Sequence, residues 1–160
     1  MLHRRLPRRD ILGRTYYLTC CLDRRRPLFK HGSLAELLVT LYAAERDAGN
    51  IRLHGYVIMP DHYHVVLTLL QEISISAVVR KIHSLFAPEC RRQIAVSGRV
   101  WQRRFYDHVV RDEEDLRTKM VYMHNNPVRA ELVADPALYP WSSSSLWETG
   151  AGPVACDPWR

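Results

Sequence analysis

Four residues in this 160-residue sequence could do chemistry together: His62, His64, Tyr122 and Asn126. The histidines open the alternating run in MPDHYHVVLTLL (59–70). In a strand, side chains two apart share a face roughly 6–7 Å from one another along the chain, so both imidazoles can lean onto one ion. Tyr122 and Asn126 are four apart in a helical stretch and so share a helix face. Two neutral imidazoles and an amide oxygen leave coordination positions open for a phosphate, which suits Mg²⁺ or Mn²⁺ and suits Zn²⁺ poorly. A phenol beside such an ion could attack phosphorus. With an ordinary pKa of about 10, it needs a base or a nearby cation to do so.

Each residue also has a packing explanation. A lone His-x-His on a strand is more often surface or core histidine than a ligand pair. Tyr122 is one of eight tyrosines, and Asn126 precedes Pro127, where Asn is a common helix-ending residue. Spacing alone leaves both explanations open.

The surrounding pattern predicts the elements that would position these groups. TYYLTCCL (15–22) is rich in strand-forming residues. A helix follows from Ser33, with Ser33 and Glu36 as a capping box, an apolar stripe of Leu34, Leu37, Leu38, Leu41 and Tyr42, and Gly49-Asn50 as its end. IRLHGYVIM and HYHVVLTLL form a hairpin about Pro60-Asp61, with the histidines at the start of its second strand. A second helix carries Val78, Val79, Ile82, Leu85 and Phe86 on one side, and Pro88 is expected to kink or restart it. VWQRRFYDHVV (100–110) reads as a fourth strand. The last clear helix begins with the acidic turn Asp112 to Asp115 and is stopped by Pro127.

The order β-α-β-β-α-β is that of an α+β, ferredoxin-like split β-α-β sandwich with an antiparallel sheet. The additional C-terminal helix, bearing Tyr122, could cover the sheet face the first two helices leave open. The hairpin's second strand is expected at or near a sheet edge. Residues 1–148 are expected to form one domain with a basic arm at 1–14. Residues 149–160 are expected to be a flexible tail, and the Pro-, Ser- and Gly-rich stretch from 136 onward to pack loosely.

Composition narrows the class. The apolar share of 47% and charged share of 25% are those of an ordinary globular domain. No stretch approaches the ~20 apolar residues of a membrane span, and the basic start lacks the apolar core of a secretory signal. Cys20, Cys21, Cys90 and Cys156 form neither a C-x-x-C pair nor a disulfide framework, so a reducing cytoplasm is expected. Net charge is +6, concentrated in two blocks. Residues 1–30 carry nine Lys/Arg against two acids, and residues 80–104 carry seven against Glu89. Two basic blocks on a nearly neutral body suit a polyanion such as DNA, although a basic solvated surface would look the same.

Taken together, MPDHYHVV, WQRRFYDHVVRDEEDL, VYMHNNPVRAELV and YPWSSS resemble the REP-associated tyrosine transposases. These are bacterial single-tyrosine transposases of the HUH endonuclease superfamily. The resemblance spans roughly residues 16–145, with the motifs in the family's order. It implies that His62 and His64 bind a divalent ion, Mg²⁺ or Mn²⁺, with Asn126 as a further ligand, and that Tyr122 is the nucleophile. It implies cleavage and rejoining of single-stranded DNA through a 5′-phosphotyrosine, with a palindromic repeat folded as a hairpin as partner. Trp101, Gln102, Arg103 and Phe105 match a W-Q-x-R-F segment expected to serve sheet core and DNA contact. Glu131 departs from the family, whose members usually carry glycine there, and a local change of turn is expected.

Phosphate contacts are expected from Arg4, Arg5, Arg8, Arg9, Arg14, Arg80, Lys81, Arg103 and Arg104. A bacterial cytoplasmic protein, nucleoid-associated when bound, is implied, as monomer or homodimer and with no membrane partner. Two other functions remain open on sequence: a non-catalytic repeat-binding protein on the same fold, and an unrelated metallohydrolase drawing on His54, His83, His108 or His124.

Overall fold

The computed structural model describes residues 12–150, 152 and 154–159. The expected phosphate-binding residues Arg4, Arg5, Arg8 and Arg9 lie outside the described residues. Four strands, β1 (Thr15–Cys21), β2 (Ile51–Ile58), β3 (His62–Leu69) and β4 (Tyr106–Val109), form one sheet in the order β2-β3-β1-β4. Every neighbouring pair is antiparallel, as the split β-α-β layout requires.

The hairpin's second strand takes the near-edge position, one place in from the β2 edge. β3 lies between β1 and β2 and is buried along nearly its whole length. The connection through α1 (Gly32–Asp47) leaves a gap between β1 and β2, and β3 fills it. The edges are β2 and the short β4. Only Tyr106–Val109 of the expected fourth strand pairs regularly, while Trp101 makes an isolated bridge to Leu22.

α1 and α2 (Ile75–Gln93) cover one sheet face around Leu18, Tyr63, Leu67, Ile82 and Phe86. α2 runs through Pro88 without interruption, and Leu85, expected on its apolar side, is largely exposed. α1 is not started by a capping box. His31 is its N-cap residue, and Ser33 Oγ donates instead to Gln93 Oε1.

α3 (Glu113–His124) covers the opposite face, where Leu116, Met120 and Met123 pack on Tyr17, Val57 and Val66. Asp112 caps it by accepting from the Asp115 N–H, and its acidic first turn suits the positive end of the helix dipole. α3 approaches the sheet closely at Gly55. A Cβ there would lie 2.3 Å from Met120 Cε.

Pro127 does not end the helical path. It lies in the first turn of a further short helix, α4 (Asn126–Arg129), where its missing N–H costs nothing. Glu131 then adopts φ +57°, the left-handed conformation in which glycine is least strained, at the position where the resemblance implied a changed turn.

The chain beyond residue 136 differs from the expected loose segment. Ile58 N–H donates to the Trp141 carbonyl and Ser143 N–H to that of Tyr56, before α5 (Ser144–Thr149). Further on, Asp157 accepts from Arg46 and from the Leu53 N–H, and Trp159 Nε1 donates to Thr15 Oγ1. The unpaired edge of β2 supplies the backbone groups that these residues satisfy. No helix among the described residues is long and apolar enough to cross a membrane.

Candidate active site

His62 and His64 share the sheet face beneath α3, and their ring centroids are 4.9 Å apart. β1 supports them from the next strand, because the register sets Thr19 opposite His64. Thr19 Oγ1 lies 2.8 Å and Tyr17 OH 2.9 Å from His64 Nδ1. On the other side of the ring, the Asn126 Nδ2 amide donates to His64 Nε2 at 2.7 Å. With Nε2 accepting, the ring proton sits on Nδ1 and is directed to the two hydroxyls.

His62 is held in a parallel way. Its Nδ1–H donates to Asp61 Oδ1 at 2.6 Å, and Asp61 also accepts from Arg25 at 3.4 Å. That arrangement leaves His62 Nε2 as a lone-pair donor. Burial lowers the pKa of both rings. Desolvation drives His64 to about 3, reinforced by His62. For His62 desolvation again dominates, partly opposed by Asp61. Both rings are therefore neutral near pH 7, the form that binds metal.

Tyr122 reaches the same cleft from the last turn of α3. Its ring centroid is 6.5 Å from that of His64, within one chain, and about half of its surface is exposed. The Arg129 guanidinium lies 4.0 Å above the ring centroid and donates to the Tyr122 carbonyl at 3.1 Å. This cation–π contact fixes the ring while leaving the phenol open to the cleft. The cleft has a volume of about 440 Å³, and Tyr106 and Lys119 close its sides.

The residues fit a divalent ion of a particular kind. Two neutral imidazoles are each anchored through Nδ1, and a rotation of the Asn126 amide would present its oxygen to the position its nitrogen now occupies. Among the described residues no group of three or more His, Cys, Asp or Glu is arranged to hold a metal. Two imidazoles and one amide oxygen would leave coordination positions open, which suits Mg²⁺ or Mn²⁺ better than a closed structural zinc site.

The remaining candidates are distributed more widely. Arg80, Arg103 and Arg104 line a second cleft, and Arg14 a third. Lys81 is turned away from Arg80, with its Nζ 2.5 Å from the buried carboxylate of Glu45 on α1. Trp101 is core, stacked on His83 at 3.8 Å, while Gln102 and Arg103 are exposed. Among the described residues, His54, His83, His108 and His124 join no ligand cluster. His124 Nε2, for one, bonds Ser143 Oγ beneath α3.

Sequence reasoning missed Tyr17, Thr19, Asp61 and Arg129. The alternation of β1 puts Tyr17 and Thr19 on one face, and Arg129 follows Tyr122 by two helical turns. Neither spacing points to a histidine before the strand pairing is known.

A split β-α-β sheet thus carries a histidine pair opposite a helix-borne tyrosine. The family model described as "Transposase IS200 like" matches residues 12–126, and the chain belongs to that family. It is 27% identical over 134 residues to the REP-associated tyrosine transposase of Escherichia coli K12, covering 83% of this chain and 78% of that protein. It is also similar to a solved REP-associated tyrosine transposase bound to a REP hairpin. That match has a TM-score of 0.74 and 25% identity, and it covers 96% of this chain and 90% of the other.

Proposed function

We propose that this chain cuts and rejoins single-stranded DNA beside a hairpin, with Tyr122 as nucleophile, and that His62, His64 and Asn126 hold a divalent ion. The observation that carries the reading is the approach of Tyr122 to His64, 6.5 Å between ring centroids, in a cleft that also contains His62 and Asn126. A bound ion would neutralise phosphate charge and polarise a phosphoryl oxygen.

The chain's own residues do the rest. Arg129 holds the phenol ring from one side so that its oxygen faces the cleft. Attack joins that oxygen to phosphorus and breaks the bond to the 3′-oxygen, which leaves as the 3′-hydroxyl after taking up a proton. The DNA 5′-phosphate remains on Tyr122. Because the phosphotyrosine keeps the energy of the broken bond, the reverse attack by a 3′-hydroxyl reseals DNA without a nucleotide cofactor. Lys119 and Arg25 are cations at the cleft's margin that can meet the flanking phosphates.

A hairpin partner is supported by the similar transposase that was solved with a REP hairpin. The experiment is incubation of labelled hairpin DNA bearing single-stranded flanks with protein and Mn²⁺, followed by denaturing electrophoresis. A labelled band that migrates with the protein supports cleavage. Hairpin binding with no such band, in any divalent ion, supports a non-catalytic DNA-binding role on the same fold.

A further inference from the structure

A wide cleft lies on the other side of the sheet from Tyr122. It measures about 630 Å³, within the usual range of ligand sites, and runs between α2 and the segment 102–105. Arg80, Arg103 and Arg104 line it, and no carboxylate does. Among the described residues no ion pair engages any of the three arginines. Its apolar lining comes from Val79, Cys20 and Phe105. Cations around an apolar floor are the chemistry of a nucleotide, phosphates outside and base within.

The two clefts meet at one corner of the sheet. Phe105 lines the arginine cleft, and the next residue, Tyr106, lines the cleft of Tyr122. Likewise Cys21 lines the first, and its cross-strand partner His62 lines the second. At this corner begins β4, a short edge strand. A flexible chain needs to turn round a single strand to occupy both. A duplex presents its bases stacked and paired, so it cannot insert one into a concave cleft at this corner.

We infer that the Arg80–Arg103–Arg104 cleft binds an unpaired nucleotide of the same DNA strand that enters the Tyr122 cleft, the strand wrapping round the β4 edge. This deepens the proposed function and rests on it for the identity of the strand. Tyr106, exposed at the crossing, is then the stacking surface on the active-site side.

Ser84, exposed on α2 at the wall of the cleft, reports occupancy once it is replaced by cysteine, whereas the Cys21 thiol shares the face of its cross-strand partner His62. The Ser84→Cys protein is alkylated with iodoacetamide, with and without a saturating short single-stranded oligodeoxynucleotide of mixed sequence, and the thiol introduced at position 84 is followed by peptide mass. Cys156, outside the cleft, is the internal reference. Single strands are expected to slow alkylation of the introduced thiol roughly tenfold at low salt while a blunt duplex of the same length does not. Arg103→Glu combined with Arg104→Glu is expected to abolish the protection. Both side chains are exposed, so an unchanged melting temperature shows that the fold is intact.

An unchanged rate at the introduced thiol at saturating single strand overturns the inference. So does equal protection by duplex, or equal protection by a mononucleotide. Covalent adduct formation is scored separately. Protection at position 84 without adduct counts against the nuclease, and adduct without protection counts against this cleft.

Discussion

Asn126 Nδ2 lies 2.7 Å from Nε2 of His64, a contact that joins the end of the tyrosine-bearing helix to the centre of the sheet. Both residues have a fixed reason to be there. β3 is held by neighbours on each side, and α4 begins immediately after α3, so Asn126 stays within the helical path although it precedes a proline. The position of Tyr122 follows from the same junction, one turn earlier.

Replacing His64 tests that junction on two scales. His64→Ala is expected to abolish DNA adduct formation. It should also destabilise the fold by about 1–3 kcal/mol, because Tyr17 and Thr19 lose their shared partner in a buried setting. Asn126→Ala, at the cleft's wall, should reduce adduct formation without abolishing it and should leave stability nearly unchanged. Denaturant melts and gel quantification check both, and equal effects of the two substitutions would contradict the account.

Asp61 is expected to act through His62. Asp61→Asn removes the carboxylate that fixes the imidazole, and should weaken Mn²⁺ binding about 10–100-fold. Isothermal titration with Mn²⁺ measures this. Unaltered affinity would mean that His62 needs no such support.

Gly55 lets α3 approach the sheet, since any Cβ would meet the side chains of Met120 and Met123. A single methyl can be absorbed by those flexible thioethers. Gly55→Val should cost about 1–3 kcal/mol through overpacking, and should lower adduct yield by displacing the helix that bears Tyr122. A variant with wild-type melting behaviour would contradict this packing.

Stability should fall in acid for a stated reason. Burial lowers His64 and His83 to about 3 and His124 to about 4, while the unfolded chain titrates near 6.5. Below pH 6.5 the unfolded state binds protons that the folded state does not. Each group's stabilisation, complete above pH 6.5, is therefore lost as pH falls towards its folded value, by up to about 1.4 kcal/mol per pH unit. The urea midpoint should drop between pH 7 and pH 5, and His124→Gln should make the drop shallower. A flat profile across that interval would contradict the burial assignments.

Much of the fold is legible in the sequence because periodicity changes cleanly. Strand-forming composition marks β1, period-two runs mark β2 and β3, and apolar stripes mark α1 and α2. The hairpin at Pro60-Asp61 and the acidic cap of α3 are likewise local signals. What stays hidden depends on partners far along the chain. Thr19 becomes a histidine's neighbour only through the β1–β3 register, and Lys81 is committed to Glu45 only because α1 and α2 pack together. Pro127 reads locally as a stop, yet in space it begins another turn. Pro136 onward lacks any periodicity, so its attachment to the β2 edge could not be inferred from pattern.

The most direct measurement is mass spectrometry of the peptide containing Tyr122 after reaction with flanked hairpin DNA and Mn²⁺. The account predicts a nucleotide joined through its 5′-phosphate to the Tyr122 oxygen, and no adduct from Tyr122→Phe under the same conditions. A phosphotyrosyl linkage at Tyr106 or Tyr139, or an undiminished adduct from the Tyr122→Phe protein, would contradict it.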